Sequence, residues 1–397
     1  MLLAPTGGLW AQDRAAIDKT IRIGVLSDLS SLYSDITGPG SVLAAQMAAE
    51  ESGLRAKGWT IEVVSGDHQN KADVGTGIAR QWYDRDQVDV IVDVPNSAVA
   101  LAVSNLTREK NRVFLDSGAA TSDLTDAQCS PNTIHWVFDT YMLAHGTGTG
   151  VVKAGGDSWF FLAADYAFGA SLERDTSAVV KAEGGKVLGS VKHPPNSSDF
   201  SSFLLQAQAS KAKVIGLANG GGDTINAIKQ ASEFGVVQGG QRLSPLLLFI
   251  TDVHSLGLNV AQGLTFTEAF YWDLNEGTRG FSRRFAGRMK TRAMPSMAQA
   301  GVASSLLHYF KVLEALGGNP HDGKAIVAKM KEMPTDDPLF GKGRIRADGR
   351  KIHPAYLFEV KKPAESKGAW DYYKLVSAIP ADEAFLPLAQ SKCSLVK

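Results

Sequence analysis

Short apolar runs alternate with stretches of helical period along most of the chain. Ile21-Arg22-Ile23-Gly24-Val25-Leu26 has the pattern of a buried strand. It opens into SDLSSLYSDITGPG, a run of turn formers, and VLAAQMAAEESGL then carries helical period and stops at Gly53. The unit recurs. WTIEVVSGDHQN, VDVIVDVPNSA and RVFLDSGAATSDLTD each read as strand and loop, with helical stretches ADVGTGIARQWYDRD and ALAVSNLTREKN between them. It starts afresh at DSWFFLAADYAFG and KVLGSVKHPPNSSD, continues through KVIGLANGGGD with helices between, and closes at LSPLLLFITDVHS. Strand, loop and helix in series predict parallel sheets covered by helices on both faces. TFTEAFYW turns β-like and aromatic, two helical stretches follow, and HPAYLFEVKK with AWDYYKLVSAI predicts a late hairpin.

Length and charge narrow the class. The 397 residues carry 41 basic and 41 acidic side chains, 44% hydrophobic residues and forty glycines. Such a neutral chain lacks the basic face of a nucleic-acid binder, and its hydrophobic fraction suits a folded protein. No apolar window reaches the ~18 residues of a membrane span. At ~150 residues per domain the length suggests two or three domains. The first residues, MLLAPTGGLWAQ, resemble the tail of a secretory signal without its basic start, so 1–20 reads as a signal remnant or a disordered N-terminus.

The motifs of common chemistry fail on inspection. GNPHDGKA (318–325) has P-loop glycine and lysine spacing, but a helix precedes it, Pro320 stiffens it, and Ala325 cannot hold magnesium. HGTGTG (145–150) has the wrong glycine spacing for a dinucleotide loop and no strand before it. There is no G-x-S-x-G elbow and no HExxH, and the two cysteines have no metal-ligand spacing. Asp165, Asp252 and Ser97 could be assembled into a catalytic set, yet loop carboxylates more often serve as caps and turn anchors. No catalytic residue, cofactor or metal is expected.

What remains is a set of small, polar, glycine-rich loops at the predicted C-terminal strand ends: SDLSSLY, PNSA, SGAAT, ADYAFG, ANGGGD and TDVHS. Ligands of open parallel sheets lie there, and hydroxyls with free N–H groups at helix starts suit a carboxylate. These loops, in this order, resemble the type I periplasmic solute-binding proteins of ATP-binding-cassette importers, nearest the branched-chain amino-acid class. The resemblance runs from Ile21 to about Val376 and rests most on IRIGVLSDLSSLYSDITGPG, SGAATSDLTD, ADYAFGASL and SDFSSFLLQAQASKAKVIGLANGGGDTINAIKQASEFG. It implies an α/β fold of two Rossmann-like lobes joined by three crossover hinge segments, with 21–138 plus 270–352 in lobe 1 and 139–269 plus 353–397 in lobe 2.

Carried over by position, the resemblance gives Asn96 and Ser97 to one carboxylate-holding loop and Ala119 and Thr121 to another. Tyr166 and Phe168 match an aromatic turn that closes on the ligand, and Tyr33 adds a wall. Gly220, Gly221 and Gly222, with Asp252, fall where amino-acid binders place an aromatic and an acid for the ammonium group. Glycines in place of an aromatic, and an aspartate in place of a glutamate, favour an apolar or aromatic carboxylate over an aliphatic amino acid or amide. The implied protein is a periplasmic monomer that closes by hinge motion, docks on a membrane permease and performs no catalysis. A sensor of the same fold is the alternative, and an α/β enzyme a more remote one. Cys129 and Cys393 either pair across 264 positions, as an even count in an oxidising compartment allows, or are two unrelated buried thiols.

Overall fold

A computed structural model describes residues 18–396; the signal-like segment read from the sequence lies almost wholly outside them. The first unit comprises β1 (Thr20–Ser27), α1 (Gly38–Glu51), β2 (Thr60–Asp67), α2 (Ala72–Asp84), β3 (Val90–Asp93), α3 (Ser97–Glu109), β4 (Val113–Asp116) and β5 (Thr133–His135). Its strands form one parallel sheet in the order β2-β1-β3-β4-β5. Every residue of VIVD in β3 and VFLD in β4 is buried, as strands covered on both faces require.

The chain then crosses over. It continues through α4 (Thr140–Leu143), α5 (Thr149–Lys153), β6 (Ser158–Ala164), α6 (Ala167–Ala182), β7 (Lys186–His193), α7 (Ser201–Ala209), β8 (Val214–Ala218), α8 (Gly222–Glu233), β9 (Arg242–Pro245), α9 (Ile250–Leu256), α10 (Leu258–Ala261) and β10 (Thr265–Glu268). Strands β7-β6-β8-β9 make a second parallel sheet. The predicted strand LSPLLLF stops at Pro245, which leaves Leu246–Phe249 as a connecting loop.

A return crossover leads to α11 (Glu276–Arg288), α12 (Met297–Leu316), α13 (Gly323–Glu332), β11 (Thr335–Asp337), β12 (Gly341–Ile345) and β13 (Lys351–Ile352). Fifteen of the twenty residues of α12 are buried, and the helix packs along α1; Trp136 Nε1 also donates to its Ser304 hydroxyl at 2.8 Å. The third crossover, at His353 and Pro354, delivers β14 (Ala355–Val360) and β15 (Tyr373–Ile379), the expected hairpin, which pairs with β10. Up to β15, two α/β lobes therefore share one chain that has passed between them three times.

After β15 the chain does not stay with the second lobe, to which the sequence division gave everything beyond 353. From α14 (Ala381–Ala384) onward it returns to the first lobe. Asp382 pairs with Arg344, the Arg350 guanidinium lies 4.4 Å from the Phe385 ring, Asp126 accepts from the Lys392 N–H, and Cys393 is bonded to Cys129 with Cα atoms 5.5 Å apart.

The two glycine motifs serve packing. HGTGTG continues α4 as a π-turn, and a Cβ on Gly146 would lie 2.3 Å from the Thr267 hydroxyl oxygen of β10. In GNPHDGKA, Asp322 caps α13 by accepting from the Ala325 N–H at 3.2 Å.

Candidate functional site

The C-terminal ends of the two parallel sheets face each other, and their loops enclose a cavity. Tyr33 and Ile36 follow β1, Pro95 follows β3, and Gly118 and Ala120 follow β4; from the other lobe come Tyr166 and Phe168 after β6, and Leu247 and Phe249 after β9. None of these side chains is charged. The free space is about 10 Å³, room for a single water.

Several interactions hold the walls. The buried Asp28 carboxylate accepts the N–H groups of Ser31 and Tyr33, both at 2.8 Å, and the Asn70 amide at 2.6 Å, which fixes the turn carrying Tyr33. The Tyr33 hydroxyl then bonds the Tyr166 hydroxyl across the lobes. Burial pushes both phenols above their ordinary pKa, so both remain neutral donors. Phe249 meets Phe138 edge to face at 5.9 Å. A Cβ on Gly220 would approach Leu247, Phe168 and Tyr33, and one on Gly221 would lie 2.5 Å from the Leu32 carbonyl oxygen of the other lobe. Gly221 has φ of +58°; glycine is needed there both for its backbone and for the lobes to meet.

A second interlobe contact is polar. Ser171, Arg174 and Asp175 share one face of α6, at helical spacing. The Ser171 hydroxyl bonds that of Thr121 at 2.8 Å. Asp175 Oδ2 accepts from Ser122 at 2.8 Å and from Thr140, in the first crossover, at 2.6 Å. Arg174 reaches Asp123 at 3.1 Å and donates to Ser122 at 2.8 Å. With both contacts made, the lobes are closed.

Of the residues the sequence singled out, Tyr33, Tyr166 and Phe168 line the cavity, and Gly220 and Gly221 border it. The others lie elsewhere. Asn96 caps α3, accepting from Ala98 and Val99 at 3.0 and 3.2 Å. The Ser97 hydroxyl accepts the Thr121 N–H at 3.3 Å. Ala119 is buried, its carbonyl bonded by His135 Nε2 at 2.9 Å. Gly222 starts α8. Asp252 lies in the first turn of α9, not in a loop, and its Oδ2 accepts the Phe249 N–H at 2.9 Å. Burial raises that carboxyl to about 7. Asp223, the other nearby acid, accepts the N–H groups of Asn196 and Ser197 at 3.0 and 2.8 Å, and burial raises it to about 6.

Sequence reasoning missed Ile36, Pro95, Gly118, Ala120, Leu247 and Phe249. Three of them lie within two positions of a residue it named. The backbone explains one offset: Asp93 and Val94 have φ of +78° and +60° at the end of β3, uncommon for such residues, so Pro95 rather than Ser97 turns to the cavity. The signal for Leu247 and Phe249 was present as Pro245, which ends a strand whose apolar run continues.

Residues 20–369 match the family described as periplasmic binding protein. The chain belongs to that family. A periplasmic binding protein from Burkholderia mallei is 49% identical, with a TM-score of 0.92 over 96% of this chain and 100% of its own. A branched-chain amino-acid ABC transporter periplasmic ligand-binding protein from Burkholderia xenovorans is 38% identical, with a TM-score of 0.84 over 95% and 100%. A solute-binding protein of an ABC transporter from R. palustris, solved with benzoate, shares the fold at 19% identity and a TM-score of 0.81 over 95% and 100%. This periplasmic binding protein is thus an ABC-importer solute receptor by family. Among the described residues no helix is long and apolar enough to cross a membrane.

Proposed function

We propose that this receptor captures a small aromatic monocarboxylate without an α-ammonium group, by hinge closure in the periplasm, and hands it as a monomer to membrane permease subunits without catalysis. One observation carries the reading. The cavity wall is apolar and aromatic, and its polar side-chain groups are the two phenol hydroxyls of Tyr33 and Tyr166, one from each lobe. The closed cavity has room for only a single water, so the lobes part to admit the ligand; a carboxylate entering between the phenols takes both hydrogen bonds in place of the phenol pair, and the ligand itself then bridges the lobes. Closure then follows from its greater affinity for the closed form. An ammonium group finds no free acid, because Asp252 and Asp223 are engaged by backbone N–H groups. The benzoate complex of the R. palustris neighbour agrees with this ligand class; the B. xenovorans relative speaks for a branched-chain amino acid. In this reading the lobes are 21–138 with 270–352, and 139–269 with 353–380, the tail from 381 riding on the first.

A thermal-shift and calorimetric comparison of benzoate, 4-hydroxybenzoate, leucine, isoleucine and valine tests it. The aromatic acids are expected to raise the melting temperature in proportion to ln(1 + [L]/Kd). Tyr166→Phe is expected to weaken them by ~1–3 kcal/mol, the cost of a buried charge short of one donor. Tighter binding of leucine than of either benzoate would overturn the assignment.

A further inference from the structure

A larger cavity lies beside the central one. It measures about 660 Å³, within the ~300–1,000 Å³ range of small-molecule sites. The turn that presents Tyr33 and Ile36 to the central cavity presents Ser34 and Asp35 to this one. Phe249 faces the first and Thr251 the second in the same way. The turn and the start of α9 therefore form a wall between two separate spaces.

The outer cavity is built from both lobes. Val42 and Leu43 of α1 give an apolar face, and the segment after α11 gives Lys290; the second lobe gives Thr251, His254 and Trp370. Trp370 stacks on the His254 ring at 4.1 Å with 12° between planes, and His254 Nδ1 is bonded to the Tyr372 hydroxyl at 2.7 Å. This platform is tied to the second crossover: Trp272 Nε1 and the Tyr271 hydroxyl both donate to the Trp370 carbonyl, at 2.7 and 3.1 Å. Arg288 in the same lining is engaged by Glu50 at 2.6 Å, whereas among the described residues no carboxylate pairs with Lys290.

We infer that this cavity is a second ligand site, for a two-ring aromatic carboxylate too large for the central cleft. The rings lie between Trp370 and the Val42–Leu43 face, and the carboxylate meets Lys290. An occupant touches both lobes beside a crossover, so it favours the closed form and, by linkage, tightens binding in the central cleft.

The test is calorimetry with 1-naphthoate on the intact protein, with benzoate as the central-cleft probe. Saturable binding of 1-naphthoate is expected, undiminished by saturating benzoate. Trp370→Ala and Lys290→Glu are each expected to weaken it at least ~10-fold while benzoate binding without naphthoate stays within ~2-fold, the effect of losing a stacking wall or reversing a charge. Lys290 is exposed, so its replacement leaves folding intact and keeps the test decisive even if the tryptophan change unfolds the protein. The inference is overturned if 1-naphthoate fails to bind at millimolar concentration, if both variants bind it as the wild type does, or if benzoate displaces it. Failure of benzoate itself to bind bears on the central-cleft reading alone, since the naphthoate titrations of wild type and variants stand without it.

Discussion

Across the central cavity the lobes meet through aromatic rings and a pair of phenol hydroxyls, whereas beside the first crossover they meet through Thr121, Ser122 and Asp123 against Ser171, Arg174 and Asp175. In the proposed reading the first contact is exchanged: a ligand carboxylate replaces one hydroxyl-to-hydroxyl bond with two charge-assisted ones. The second is complete without a ligand, because each polar group already has a partner in the chain. On that reading selectivity belongs to the aromatic side, and the polar side adds a ligand-independent bias toward closure.

Three changes separate these roles. Gly221→Ala is expected to act most strongly, because its φ of +58° and the Leu32 carbonyl 2.5 Å from the new Cβ oppose the closed form. A penalty of ~2 kcal/mol corresponds to ~30-fold weaker binding, and small-angle scattering should show a more extended protein without ligand. Unchanged scattering and affinity would mean that the lobes meet elsewhere.

Asp252→Asn probes the support behind Phe249. Burial holds the Asp252 carboxyl at about 7, above its unfolded value, so the folded state keeps a proton that the unfolded state releases. Its contribution is fully present below the unfolded pKa and lost as pH rises through 7. The substitution is therefore expected to cut the excess stability at roughly pH 5.5 over roughly pH 8 by ~2 kcal/mol, read from urea melts at both values. An identical pH profile would place the carboxyl in an ordinary ionised state.

The smallest effect is expected from Arg174→Ala. Its side chain is 51% exposed, so the loss is ~0.5 kcal/mol, about twofold in affinity, and the same for every ligand. A change in the order of ligand preference would bring Arg174 into the ligand's reach and break the division of roles.

The sequence made the repeating strand–loop–helix units legible because buried parallel strands such as WFFLAA and VIGLA are written in uninterrupted apolar residues. It also showed which loops gather at the strand ends. It did not show which of two adjacent side chains turns inward, since that depends on backbone angles such as those of Asp93 and Val94. Asp252 illustrates the same limit: a carboxylate in TDVHS reads equally as a ligand contact or as a helix-start anchor, and the position of Pro245 decided between them by moving the helix start to Ile250.

The Cys129–Cys393 bond has a practical corollary for watching this protein at work. Although β15 belongs to the second lobe's hairpin, the tail it leads into is fastened to the first. A dye attached at Ser394 would therefore travel with the first lobe. A partner dye on β7, at the half-exposed Leu188, would complete a pair whose separation tracks opening, whereas two labels placed on the first lobe near Cys129 and near the C-terminus would record nothing.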